Sequence, residues 1–105
     1  MTAKPNWIAE RVFEFREGGS AVPRTITARI GVPEPDEGSW QCATLIEGEP
    51  SMSDVFYAYG EDSMQALYLG MQGLAVRLKA VGRGGNLTWF GLDDLGLPEP
   101  KMRAK

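Results

Sequence analysis

The sequence predicts an α+β fold, an antiparallel meander of four to five strands with one long helix packed across one face. Three observations lead there. Short segments of alternating apolar and polar residues fill the first half of the chain. One long stretch from Ser63 onward carries apolar residues at helical spacing. Glycines and prolines fall mostly between these segments, apart from Gly31 near the end of one strand segment and two glycines in the helix. At 105 residues, 43% of them hydrophobic, the chain is read as a single domain over residues 1–105. A tail from about residue 98 is expected to be mobile.

Ile8 to Arg16, IAERVFEFR, reads as the first strand, with Ala9, Phe13 and Phe15 inward and Arg11 breaking the alternation. EGGSAVP turns the chain. Thr25 to Val32 alternates cleanly, with Ile26, Ala28, Ile30 and Val32 on one side. PEPDEG is expected to be a turn or a short acidic loop, because its two prolines lack donors for a sheet. Trp40 to Glu47 is the next strand, with Trp40, Cys42, Thr44 and Ile46 on one face. GEPSMS is a loop, and Asp54 to Tyr59 is a fourth strand. Leu87 to Phe90 is a possible fifth strand or an extended lid. The residues from Gly91 on read as irregular tail, with Leu92, Leu95 and Leu97 placed to tuck against the core. The sheet face away from the helix is expected to be mainly solvated, carrying Arg11, Thr25, Thr27, Arg29, Gln41 and Thr44 or their neighbours.

The helix is expected over Ser63 to Val81. Asp62 is a good N-cap and Gln65 lies at capping-box spacing. Arg77, Lys79 and Arg83 lie near its end, where cations are favoured. At 100° per residue, Met64, Leu67, Tyr68, Met71, Leu74, Ala75 and Leu78 form the stripe expected to face the sheet. Gln65, Gln72, Lys79 and Arg83 make a narrow polar strip. A second face then remains, with Ala66, Leu69, Gly70, Gly73, Val76 and Ala80. Each interior glycine costs about 1 kcal/mol relative to alanine, so a second backbone is expected to come close. Either the C-terminal tail or a curled sheet edge covers this face, or it is an interface built on Leu69, Gly73 and Val76.

The run Ala58-Tyr59-Gly60-Glu61-Asp62-Ser63-Met64-Gln65-Ala66-Leu67 resembles the A-Y-G-x-D-S-x-Q-A-L motif of a family of small bacterial proteins known only as a domain of unknown function. Trp40-Gln41-Cys42, Leu87-Thr88-Trp89 and Gly96-Leu97-Pro98 extend the likeness to about two-thirds of the chain. The resemblance implies bacterial origin and no established activity. The residues of the motif themselves read as strand end, glycine turn, helix cap and core leucine.

Composition narrows the chemistry. The chain has no histidine, which removes Ser-His-Asp and Cys-His catalysis and histidine-ligated metals. Its one cysteine, Cys42, forms no intramolecular disulfide and reads as a small core residue. Glu34, Asp36 and Glu37 lack EF-hand spacing. Glu61-Asp62 reads as capping, and Asp93-Asp94 lacks a polar cluster to complete a catalytic site. GRGGN follows a helix, whereas a phosphate cradle precedes one. A net charge of −3 argues against nucleic acid. No apolar run reaches the roughly 18 residues needed to span a bilayer, and no signal-peptide core is seen, so a cytoplasmic location is expected.

Charge is segregated along the chain. No basic residue lies between Ile30 and Val76, whereas Glu34, Asp36, Glu37, Glu47, Glu49, Asp54, Glu61 and Asp62 do. These are solvated turns, or an acidic surface for a cationic partner, unless folding sets basic and acidic segments side by side.

The resulting expectation is a non-enzymatic protein-binding module without metal or cofactor. It would act through Leu69, Gly73 and Val76 or through Glu34, Asp36 and Glu37, with an inhibitor or immunity-type protein as its most concrete form. The partner would be another protein or a second copy in a homodimer, with no nucleic acid or membrane. A structural homo-oligomer is the alternative. So is a small-ligand carrier or enzyme with a pocket between helix and sheet near Trp40, Tyr57, Tyr68 and Trp89.

Overall fold

In the computed structural model, which describes residues 5–49 and 52–99, the alternating segments become strands and the periodic one a helix. The strands are β1 (Trp7–Glu17), β2 (Arg24–Gly31), β3 (Glu34–Asp36), β4 (Ser39–Glu47), β5 (Phe56–Gly60) and β6 (Gly85–Thr88), with α1 (Ser63–Gly82) between β5 and β6. Lys4, Lys101, Arg103, Lys105, the centre of the GEPSMS loop and the end of the expected tail lie outside the described residues.

All pairings are antiparallel. Trp40 and Gln41 of β4 pair with β3 on one side and β5 on the other, and Thr44 pairs with both β2 and β5. A strand has two edges, so β2 and β3 share one edge of β4 and β5 takes the other. The sheet therefore reads β5, β4, β2 with β3 as its continuation, β1, β6. The chain meanders from β1 to β5, and the helix then carries it back so that β6 pairs with β1.

The third strand is a departure from the expected acidic loop. Asp36 pairs with Ser39, and Glu37 and Gly38 between them have φ of 42° and 87°. Positive φ at both central residues is the type I′ turn whose twist suits a hairpin. Pro35, opposite Trp40, is the next pair out, where no ladder bond is needed. The two prolines thus limit the strand without preventing it.

The core lies between α1 and one sheet face. Phe13 and Phe15 of β1, Ile26, Ala28 and Ile30 of β2, and Cys42, Thr44 and Ile46 of β4 all point into it. Each large apolar side chain buried there contributes about 1.5–3 kcal/mol. Ala9, opposite Ile30, faces the helix side but stays exposed, and Ile8 is exposed where the β1–β2 register shifts between Trp7 and Ala9. On the opposite face, Arg29 bridges Glu10 and Glu47 across three strands. Thr44 does not belong to that face, being 2% exposed beneath the helix.

Arg11 also points to the helix side, beyond the reach of α1. Its guanidinium lies 3.9 Å over the Trp89 ring and donates to the carbonyls of Leu95 (3.1 Å) and Gly96 (2.8 Å). The residue that broke the alternation is therefore a clasp for the C-terminal segment. Trp89 to Leu92 form another tight hairpin, with φ of 52° at Phe90 and 77° at Gly91. Leu95 and Leu97 then pack against the core, while Leu92 is exposed.

The helix begins as expected. Asp62 accepts from the Gln65 backbone N–H at 2.7 Å, and the Gln65 side chain accepts from Glu61 N–H, one residue before the cap. Its orientation is a correction. The buried residues are Ala66, Gly70, Leu74, Ala75, Leu78 and Val81, while Met64 and Tyr68 are 78% and 48% exposed. The seated face is rotated by roughly 60° from the most apolar stripe. Close approach decides this. A Cβ on Gly60 would lie 2.5 Å from Ala66 N, and one on Gly70 would lie 3.3 Å from each of Cys42 Sγ, Ile30 Cδ1 and Thr44 Cγ2. Small residues let the helix settle onto the sheet, and the bulkier Met64 and Tyr68 are turned outward.

Candidate interaction surface

The second helix face divides in two. Gly70 and Ala66 belong to the core. The C-terminal segment covers the opposite flank, where Leu97 lies near Met71 and Leu74, and Lys79 pairs with Glu99. Leu69, Gly73 and Val76 form the flank above β5. Val76 is 53% exposed, and a Cβ added to Gly73 would meet no atom within 4 Å.

Arg77 fixes this flank to the strand below. Its Nε donates to Gly73 O at 3.3 Å, its Nη2 donates to Thr44 Oγ1, and its guanidinium lies 4.4 Å over the Phe56 ring. Thr44 Oγ1 in turn donates to Phe56 O at 3.3 Å. Burial pushes the Arg77 guanidinium below its ordinary value, and its Nη1 is buried without a hydrogen-bond partner. Phe56 is thereby held at the foot of the helix with its ring 49% exposed.

Among the described residues, β5 pairs with β4 alone, so its outer edge offers unpaired backbone groups. Natural edge strands are usually guarded by charge, proline or a bulge. From Val55 to Gly60 the sequence is VFYAYG, with none of these. Val55, Phe56, Tyr57 and Tyr59 are all exposed. The edge and the Leu69–Gly73–Val76 flank are linked through Arg77, whose side chain reaches from Gly73 O to the Phe56 ring.

Glu34, Asp36 and Glu37 lie elsewhere. They are exposed on the β3–β4 hairpin, on the side of β4 away from β5, and form no ion pair among the described residues. The fold therefore does not bring the two expected interface sets together. Part of the acidic run is neutralised instead: Glu47 pairs with Arg29, and Glu49 with Arg24. No group of three or more carboxylates or cysteines able to hold a metal occurs among the described residues.

Trp40, Tyr57, Tyr68 and Trp89 do not surround one pocket. Tyr57 pairs across from Ala43 on the far face of the sheet, Tyr68 is exposed, and the two tryptophans pack against the core. A cleft of about 490 Å³ lies between the end of the helix and the C-terminal segment, lined by Ala75, Leu78, Lys79, Leu87, Leu95 and Leu97 among others. Burial pushes the Cys42 thiol up, which keeps it protonated in the core. No helix among the described residues is long and apolar enough to cross a membrane.

Helical spacing in the sequence marks Leu69, Gly73 and Val76 but does not mark Phe56 or the edge. The signal for both was legible as six consecutive uncharged residues between Asp54 and Glu61. A family model, DUF6968, described as a domain of unknown function, matches residues 9–99. No curated protein and no solved structure matches the chain.

Proposed function

The chain belongs to the DUF6968 family of domains of unknown function, and we propose that it is a non-enzymatic protein-binding module that engages its partner at the β5 edge and the adjoining helix flank. One observation carries this reading: an unguarded, uncharged edge strand joined through Arg77 to an unfilled helix flank. Backbone pairing along β5 supplies affinity, and the flank supplies side-chain selectivity. The lack of histidine in the chain, and of a metal-holding carboxylate group among the described residues, supports a role without catalysis or metal.

The narrower version of the reading is a small bacterial inhibitor or immunity-type protein. There the exposed Glu34, Asp36 and Glu37 steer a cationic partner toward the domain, so binding weakens as salt rises.

Capture from a lysate with two baits tests the surface. One bait is the wild-type protein, and the other carries Leu69→Glu and Val76→Glu after circular dichroism confirms its fold. A partner lost only from the variant supports the reading. Identical recovery by both baits refutes it.

A further inference from the structure

We propose that the occupant of this surface is a second copy of the chain, joined β5 to β5 about a two-fold axis at Ala58. The proposal rests on the reading of the β5 edge and helix flank as an interface, and it names the partner.

An antiparallel pair of identical edges must keep both copies' inner faces on the same side. That requires a two-fold axis perpendicular to the sheet, running between the two strands midway between one residue and its own copy. Ala58 is the middle of β5 (Phe56–Gly60). Centring the axis there sets Ala58 opposite itself, Tyr57 opposite Tyr59, and Phe56 opposite Gly60. The two tyrosine pairs fall on the outer face, where both residues are exposed and cross-strand aromatic pairs stabilise a sheet. On the inner face each half-exposed phenylalanine lies opposite Gly60, over which the first turn of α1 is seated, so the ring would pack against that turn.

The helix makes the same choice of partner. It lies over β4 and β5, with Gly70 seated on Cys42 and Thr44 and Gly60 beneath Ala66. With strands about 4.8 Å apart, a helix axis midway between those two strands would stand about 5 Å from the two-fold. The two helices would run antiparallel at about 10 Å, at the top of the 8–10 Å range for packed helices. The point of closest approach also falls correctly. Gly60 lies beneath Ala66 and Phe56 beside Arg77, so Ala58 sits below the middle of that helical span. On the flank facing the β5 edge, the residue at that level is Gly73, the helical position with open space where a side chain would be. Leu69 and Val76 stand on either side of it. A glycine at the crossing point of two helices explains why the sequence accepts the propensity cost there, which no contact within one chain does.

Sedimentation from about 10 µM to about 1 mM tests the association. The expected mass rises toward twice 11.5 kDa, and Val76→Glu shifts the midpoint at least tenfold to higher concentration. A cysteine cross-link tests the register. Tyr57→Cys and Tyr59→Cys proteins, mixed and mildly oxidised, should give a mixed disulfide dimer, while each alone gives little. Both positions are exposed, so the fold tolerates them, and the buried Cys42 stays silent.

A monomer throughout the range overturns the proposal, as does a dimer unaffected by Val76→Glu or one lacking the mixed cross-link. The two readings fail separately. A monomer whose Leu69→Glu, Val76→Glu bait still loses a captured protein removes only the second copy. A monomer with indifferent baits removes the interface as well.

Discussion

Gly70 and Gly73 are one helical turn apart and should respond oppositely to the same change. In a helix interior, Gly→Ala gains about 1 kcal/mol from backbone entropy alone. At Gly73 nothing opposes that gain, because the new methyl would meet no atom within 4 Å. At Gly70 the methyl would press at 3.3 Å on Cys42 Sγ, Ile30 Cδ1 and Thr44 Cγ2 together. Cys42 and Thr44 are 0% and 2% exposed, so neither has room to retreat. Overpacking of this kind costs about 1–3 kcal/mol. Gly73→Ala should therefore stabilise by about 1 kcal/mol, and Gly70→Ala should be neutral or destabilise by up to about 2 kcal/mol. The assay is urea unfolding at about 1 µM protein, where self-association contributes little. With m of about 1–2 kcal/mol/M, Gly73→Ala should raise the midpoint by about 0.5–1 M. Equal stabilisation by both variants would refute the seating of α1 described above, since it would mean that Gly70 does not touch the sheet.

Other expectations follow from the same geometry. Glu37 occupies a left-handed position at φ 42° in a two-residue hairpin, where asparagine is preferred. Glu37→Asn should raise Tm by about 4–8 °C, corresponding to about 1 kcal/mol in thermal unfolding. Arg11→Ala removes the clasp on Leu95 and Gly96, so limited proteolysis should cut faster between Gly91 and Glu99, and an unchanged pattern would count against the clasp. Cys42 should resist thiol reagents until the protein unfolds, because burial raises its pKa and hides it. The raised pKa also means that the folded state holds this proton more tightly than the unfolded chain. Its stability contribution is therefore full below the unfolded value near 9.0 and declines as pH rises above it. Urea unfolding from pH about 8 to about 10 should show a smaller alkaline loss in Cys42→Ala than in the wild type.

Where local rules act alone, the sequence was readable. Alternation placed β1, β2, β4 and β5 within two residues, and Asp62 with Gln65 announced the start of α1. What it hid were matters of relative placement. The helix was read by hydrophobicity, which favours Met64 and Tyr68, but it seats by fit, which favours Ala66 and Gly70. β3 was lost because proline's cost depends on which side of the strand it faces, and only the I′ turn decides that. Of the candidate surface, Leu69, Gly73 and Val76 were found from helical periodicity. Phe56 was not, because whether a strand is central or at the edge is a property of the whole sheet.

The return of β6 to the side of β1 bears on how the molecule is made. Arg11 reaches carbonyls 84 and 85 residues later in the chain, and β1 gains its outer neighbour only when residues 85–88 arrive. During synthesis β1 leaves the ribosome long before the strand that completes its edge. Phe13 and Phe15 must wait for α1 and β6 to cover them. A nascent chain halted before β6 would hold a five-strand meander open along both margins, and that is the stage at which a chaperone would have most to protect.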